Sequence, residues 1–332
     1  MTDLEKTQHY TTQAEYILQG LLDFIPQEAH LIEPFVGDGD LKKLFPCHKW
    51  EYYDIDPKIE KTIIQDTLKN PPDYKGKWVI TNPPFLAKNK ATEKELFSKY
   101  NLDDLYKISL YTSIGCEGGI FIVPLNFFTD EYSGKIRKLF LSKYQIDKIN
   151  IFTEPVFTTT TYSVCAFAFH KKENTEQQLN CFLPKEKIEF SCEIQEQYDY
   201  RIAGDFFQRV EANKNYFSRL LKDKETKGFI TNLKLYGIDT RKEKIRIEYE
   251  PEWFYGKNTD RVYLTFVSSK ELSEDTQKEI MLLFNQKINT FRSQYQDIVL
   301  TNYRDYNRKR IGFDFAYKLL SLCLDEIEEK SH

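Results

Sequence analysis

The tetrapeptide Asn82-Pro83-Pro84-Phe85 is the stretch whose chemistry is most directly readable. It follows the short apolar run Trp78-Val79-Ile80, which reads as a buried strand, so the tetrapeptide sits at a strand's carboxyl end. Ligands and chemistry collect there in open α/β sheets. Two consecutive prolines fix their own φ angles and donate no backbone hydrogen bonds, and Pro83 pushes Asn82 toward an extended backbone. The product is a stiff bracket carrying one amide side chain, outward-facing carbonyls and an aromatic ring. It suits a planar group bearing an exocyclic NH2. Taken alone it also reads as an ordinary strand-to-loop exit, since Asn-Pro is a common turn former.

Three acidic positions upstream narrow the choice. Residues 32–40, Ile-Glu-Pro-Phe-Val-Gly-Asp-Gly-Asp, run an apolar strand into a turn and then a helical stretch at Leu41, Leu44 and Phe45. Gly37 and Gly39 let the backbone approach a ligand without a Cβ clash. A third glycine of a dinucleotide fingerprint would fall at Lys42, which disfavours a nicotinamide dinucleotide. Glu33, in the strand before the glycines, suits a cationic ligand better than a pyrophosphate. In Tyr53-Asp54-Ile55-Asp56-Pro57 one acid is placed to accept hydrogen bonds from both ribose hydroxyls, while the other caps the helix after it. Asp66 ends a third strand, where a carboxylate can accept an adenine amino group; by itself it reads equally as a solvated loop acid.

The elements that position these residues alternate. Helical spacing over 12–24 (Ile17, Leu18, Leu21, Leu22, Phe24) predicts a helix with Thr11 or Thr12 as N-cap. Strand-like runs follow at 30–35, 50–53, 62–65, 77–81, 119–124, 146–152 and 162–169. Seven strands separated mostly by crossover-length segments predict an α/β fold with a doubly wound, mostly parallel sheet. The last two lie about ten residues apart and suit an antiparallel pair. After His170 the texture turns polar and charged, which predicts a domain boundary, with residues 1–172 in one domain and 173–332 in the other.

In this order the pieces resemble the S-adenosylmethionine-dependent adenine-N6 DNA methyltransferases. Glu33-Pro34-Phe35-Val36-Gly37-Asp38-Gly39 is similar to that family's glycine motif, and Asp54-Ile55-Asp56-Pro57 to its ribose-binding acid motif. Asp66 matches the adenine-contacting acid. Asn82-Pro83-Pro84-Phe85 matches the catalytic motif, with Phe in place of the commoner Tyr. Tyr10-Thr11-Thr12 resembles the amino-terminal cofactor segment, with Thr12 where proline is common, and Val156-Phe157 the segment that supplies a base-stacking aromatic. Only fifteen residues separate Asp66 from Asn82, so no recognition domain is inserted between them. This is the family's gamma-type order. The resemblance implies a class I, Rossmann-like catalytic domain over 1–172 and an α+β target-recognition domain over 173–332. It implies S-adenosyl-L-methionine as methyl donor, double-stranded DNA as partner, a flipped adenine as acceptor, and a restriction–modification setting with a separately encoded endonuclease.

The chemistry can be stated physically. An adenine amino nitrogen is a poor nucleophile because its lone pair is delocalised into the ring. If Asn82 Oδ1 and the Pro83 carbonyl each accept one N–H, the nitrogen moves toward sp3 and its lone pair faces the sulfonium methyl. Orientation supplies much of the rate, and preorganised acceptors meet the growing positive charge. No metal and no activated nucleophile are needed. Reaching the base in a duplex costs a few kcal/mol of unpairing and unstacking. Stacking on Phe85 and Phe157 at roughly 1–3 kcal/mol per base offsets much of that, although Phe157 reads equally as a core residue.

Composition bounds the rest. A net charge of −4 over 332 residues argues against a strongly basic nucleic-acid binder, so contacts with a polyanion must use local clusters. Two such clusters lie in the second half. One is Arg241, Lys242, Lys244 and Arg246, followed by Trp253 and Tyr255; the other is Arg304, Arg308, Lys309 and Arg310. Basic residues interleaved with aromatics suit phosphate anchoring and base contact, and equally a solvated face. The six cysteines show no C-x-x-C pair and read as reduced thiols; Pro46-Cys47, which resembles a cytosine-C5 methyltransferase nucleophile, lies far from the fourth strand and reads as structural. No signal-peptide pattern or membrane-length apolar run stands out, which predicts a cytoplasmic protein, monomer or dimer. An RNA adenine methyltransferase, a protein-glutamine methyltransferase and a non-catalytic DNA-binding module remain the alternatives.

Overall fold

The computed structural model describes residues 11–157, 163–172, 177–211, 214–302 and 309–330. It divides into two compact units, Met1–Gly204 and Asp205–His332. Among the described residues no helix is long and apolar enough to cross a membrane.

The first unit is built on a nine-stranded sheet. Its strands are β1 (His30–Glu33), β2 (Lys49–Asp54), β3 (Ile63–Ile64), β4 (Trp78–Thr81), β5 (Gly118–Pro124), β6 (Tyr144–Ile151), β7 (Val164–Lys171), β8 (Gln177–Leu183) and β9 (Ile188–Ile194). The order is β3-β2-β1-β4-β5-β7-β6-β8-β9. The first five strands pair in parallel, and β7 runs antiparallel between β5 and β6. All seven expected strands are present, the antiparallel pair included. The strand order reverses between β1 and β4, and a crevice at the carboxyl ends follows from that reversal.

Two strands were not anticipated. β8 lies parallel to β6, and β9 returns antiparallel beside it, so the first unit reaches Gly204 rather than ending at 172. Charge and polarity mislead here because β9 is an edge strand whose residues alternate between exposed and buried, with Cys192 and Ile194 inward.

β5 is buried at all seven positions, as a strand covered on both faces must be. Its Gly119 pairs with Val79 of β4, and a Cβ there would lie 1.9 Å from the Val79 carbonyl oxygen. Only glycine permits that approach, so Gly119 sets the seat of the strand that carries the bracket. Behind the sheet, Phe121, Phe127, Phe140, Phe167 and Phe169 form one aromatic cluster, with Phe127 and Phe167 stacked at 5.8 Å and 12°. The buried Arg137 donates to the carbonyls of Phe127 and Asp130 at 2.8 Å and of Asp199 at 2.6 Å.

Two helices differ from expectation. The stretch 12–24 forms only the turn-long helix Ala14–Ile17 and a 3-10 turn, Leu22–Phe24, because Gly20 takes φ +67° between them. Asn150 Nδ2 donates to the carbonyls of Ile17 and Gln19 at 3.1 and 2.9 Å, which satisfies that early end. The N-cap is Gln13, not Thr11 or Thr12. After Gly39 the chain makes a single 3-10 turn, Lys42–Leu44.

The second unit is α+β. Its strands β10 (Phe217–Arg219), β11 (Phe229–Tyr236), β12 (Arg246–Tyr249) and β13 (Tyr263–Ser268) form an antiparallel sheet in the order β10-β13-β11-β12. The burial pattern of β11 alternates, as a sheet with one wet face requires. Helices Glu274–Gln294 and Phe313–Lys330 supply Ile280, Phe284, Ile288, Leu320 and Leu324 to the core. A two-stranded ribbon, β14 (Thr301–Asn302) and β15 (Lys309–Arg310), precedes the last helix.

Candidate active site

At the carboxyl ends of β1, β2 and β4 lies a cleft of about 600 Å³. Of the expected residues, Phe35, Gly37, Asp54, Ile55, Asp66, Asn82 and Pro84 line it. One wall carries Asp54 and Asp66; another is apolar, with Leu86, Ala91, Leu96 and Phe97. That pairing of acids with an apolar wall suits a nucleoside, whose ribose is polar and whose base is flat and apolar-faced.

Asp54 organises the mouth. Its Oδ2 accepts the Gly37 N–H and its Oδ1 the Asp56 N–H, both at 2.8 Å. Each carboxylate oxygen retains acceptor capacity beyond these bonds. Gly37 and Gly39 have φ +50° and +74°, the left-handed region that glycine occupies without penalty. A Cβ on Gly39 would meet the Ile59 side chain at 3.2 Å. Asp66 Oδ1 takes the N–H groups of Leu68 and Lys69 at 3.2 and 3.1 Å, so part of its role is to cap that turn. Thr67, buried beside it, donates its hydroxyl to the Pro34 carbonyl at 3.0 Å and ties the Asp66 turn to the glycine motif.

Glu33 is 2% exposed, and among the described residues its Oε2 has no hydrogen-bond partner. Burial pushes its carboxyl well above the usual range, and Asp54 and Asp40 push the same way. The buried Glu33 carboxyl thus lies within the field of Asp54 and Asp40, where an added positive charge would be favourable. S-adenosylmethionine carries both an ammonium and a sulfonium. The residues present fit that donor.

The bracket leaves β4 at Thr81 and is held from two sides. Thr11 Oγ1 accepts a hydrogen bond from Asn82 Nδ2 at 3.0 Å, so the hydroxyl expected to cap a helix orients the amide instead. Beyond the bracket, Leu86 N–H donates to Asp104 Oδ1 at 3.1 Å, the Leu86 carbonyl accepts Leu105 N–H at 3.2 Å, and Lys88 N–H reaches the Asp103 carbonyl at 2.8 Å. Burial pushes the Asp104 carboxyl up to about 6, against the hydrogen bond from Leu86 and the charge of Lys107. Asp104 was not among the expected site residues. Its signal was an Asp before the helical run Leu105–Thr112, an N-cap pattern.

Phe85 is packed inside rather than open to the cleft, and Phe157 takes the core position that was one of its two readings. Each is 4% exposed, and their rings meet edge-on at 6.3 Å, with Tyr106 edge-on to Phe85 at 6.2 Å. Pro84, not Phe85, lines the cleft. Thr12 is exposed, Pro34 and Pro83 are buried, and Tyr10 lies outside the described residues. The cleft wall over 91–99 had no chemical signal in the sequence.

In the second unit the first basic cluster splits. Arg241 and Lys242 are exposed. Lys244 lies 3.6 Å from Asp239 and 4.0 Å from Asp297, and Arg246 pairs with Glu243 at 3.2 Å and with Glu248. Arg246 also lies 4.2 Å over the Tyr236 ring. Arg310 is half-buried in β15; Arg304 and Arg308 lie outside the described residues.

Nothing among curated protein sequences matches this chain. The type IIL restriction–modification enzyme MmeI, solved in complex with DNA, is similar at 11% identity and a TM-score of 0.49, over 98% of this chain and 73% of that one. A type I restriction–modification methyltransferase subunit from Streptococcus thermophilus is similar at 16% identity and 0.41, over 53% and 47%. A class I S-adenosylmethionine-dependent methyltransferase from Listeria monocytogenes is similar at 15% identity and 0.39, over 51% and 61%, so this chain spans less than two thirds of either bacterial protein's length. The profile of the N-6 DNA methylase family matches residues 47–247, more than half of the chain and including the whole bracket. The chain belongs to the N-6 DNA methylase family, the adenine-specific DNA methyltransferases that draw their methyl group from S-adenosylmethionine.

Proposed function

We propose that the protein methylates the N6 amino group of an adenine, flipped out of double-stranded DNA at a specific site, within a restriction–modification system. The observation that carries this reading is the bracket at the end of β4, with Asn82 and Pro84 opening onto the same cleft as Asp54 and Asp66. In this reading Asp54 holds the donor's ribose, Asp66 its adenine and Glu33 its positive end. When bound, S-adenosylmethionine supplies an electrophilic methyl group. Asn82 Oδ1 and the Pro83 carbonyl accept the two N–H groups of the acceptor amine. Thr11 takes the Asn82 NH2 and so turns the amide oxygen the other way. Stacking of the base on Phe85 or Phe157 requires these packed rings to turn outward, a rearrangement offset by the base stacking gained. The second unit reads the target site.

The test offers labelled S-adenosylmethionine to duplex DNA, RNA and release-factor protein side by side. Label on DNA, recovered as N6-methyladenine at one sequence, supports the reading. Label on RNA or protein alone overturns it.

A further inference from the structure

The second unit contains a cleft of about 710 Å³ that gathers residues far apart in the sequence, with Arg310 of the second basic cluster among them. Its lining includes Arg219, Lys224, Lys227, Arg261 and Arg310, against the carboxylates Glu225 and Asp314. It differs from the 241–246 cluster in how its cations are held. Arg219 Nη2 donates to the backbone carbonyl and side-chain oxygen of Asn258 at 3.3 and 3.2 Å, and its guanidinium lies 5.7 Å over the Phe313 ring. Arg261 Nη1 donates to the carbonyls of Asn258 and Asp260 at 2.6 and 2.8 Å. These are neutral acceptors, which orient a guanidinium without cancelling its charge. Lys224 and Lys227 are exposed at the rim. In the other cluster Lys244 and Arg246 face Asp239, Asp297, Glu243 and Glu248. The lining carries five cationic side chains against two carboxylates, so the cleft bears a net positive charge on a concave surface, which focuses its field.

We propose that this cleft binds the phosphate backbone of duplex DNA, with Arg219 and Arg261 as oriented anchors and Lys224 and Lys227 as rim charges. The assignment rests on the reading of the protein as a DNA methyltransferase and deepens it by locating a phosphate-binding surface in the second unit. Guanidinium forks held by carbonyls present their remaining N–H groups to phosphate oxygens, the geometry in which arginine outperforms lysine. The lysines act through charge and counterion release.

The experiment uses the full chain and a fluorescein-labelled DNA duplex, with binding followed by anisotropy from 50 to about 300 mM salt, a range over which phosphate neutralisation dominates the slope. Two double variants remove equal charge from exposed positions, K224Q/K227Q in the cleft and R241Q/K242Q outside it. Removing one cation that neutralises a phosphate lowers the slope of log K against log salt by about 0.9 and the affinity near 100 mM salt by roughly tenfold. K224Q/K227Q is expected to lose between one and two such units, and R241Q/K242Q clearly less. R219K, which keeps charge but not the fork, is expected to weaken binding while leaving the slope nearly unchanged. An unaltered slope in K224Q/K227Q, or a larger loss in R241Q/K242Q, overturns the cleft assignment while wild-type methylation of DNA still stands. A wild-type chain that neither binds nor methylates DNA overturns the methyltransferase reading, and the cleft assignment with it.

Discussion

Asn82 Nδ2 donates a hydrogen bond to Thr11 Oγ1 at 3.0 Å, joining two residues 71 positions apart in sequence. Thr11 is only 6% exposed, so the bond is shielded from water and fixes which way the amide points. An amide that has committed its NH2 group to one side presents its oxygen to the other. Thr11 therefore acts on the bracket.

Replacing Thr11 with valine removes the acceptor and keeps the shape. The loss of one neutral hydrogen bond, about 1 kcal/mol, lowers kcat about five- to tenfold. Affinity for S-adenosylmethionine changes little, and Thr11→Ser restores the rate. A kcat in the valine variant equal to wild type would assign Thr11 to packing alone.

If Glu33 faces the donor's positive end as proposed, donor binding is linked to its protonation. Its carboxyl is raised by burial and by Asp54 and Asp40, so the empty site favours the protonated form. A bound cation favours the carboxylate and drives the proton off, which makes affinity rise as pH rises toward the free-site value. Calorimetry in buffers of different ionisation enthalpy should register release of up to about one proton. Glu33→Gln should abolish that release. A proton count of zero in the wild type contradicts the linkage.

Asp104 supports the exit of the bracket at a cost. Its folded-state value of about 6 lies above the ordinary 3.8, so the folded state binds this proton more tightly than the unfolded chain does. The stabilisation belongs to the protonated form, is complete below about pH 4, and is lost as pH climbs through about 6. Asp104→Asn keeps an acceptor for Leu86 N–H and carries no charge. At pH 8 it should be more stable than wild type by on the order of 1–2 kcal/mol, and the advantage should shrink between pH 6 and 4. A difference in Tm that stays constant across this range would exclude Asp104 as its source.

Gly119→Ala tests the seat of β4. The added methyl would fall 1.9 Å from the Val79 carbonyl oxygen, and backbone cannot rotate aside as a flexible side chain can. A loss of about 3 kcal/mol or more is expected, read as a large drop in the denaturant midpoint. Normal stability would mean that β4 and β5 separate cheaply, and the bracket's position would then be soft.

Much of the catalytic unit was legible because parallel strands buried on both faces leave apolar runs, and because glycines, acids and prolines at strand ends are punctuation with mechanical meaning. Glu33, Gly37, Asp54, Asp66 and Asn82 all emerge at one end of the sheet for that reason. The features that were not legible depended on tertiary partners. Thr11 looked like a helix cap because its actual partner lies 71 positions away. Phe85 was expected to stack on the base, yet its ring packs against Tyr106 and Phe157. The boundary near 172 was drawn on polarity, which an edge strand such as β9 shares with a linker. The 241–246 run looked like one basic face, but Lys244 and Arg246 are matched to acids distributed over three segments.

The central claim, that the Asn82 bracket performs the transfer, is tested most directly by single turnover of Asn82→Ala with saturating S-adenosylmethionine and duplex DNA. The prediction is a loss of at least about 10³-fold in N6-methyladenine formed per second, the scale of removing a preorganised acceptor, while S-adenosylmethionine still binds within severalfold of wild type. Turnover at the wild-type rate with the amide gone would contradict the account.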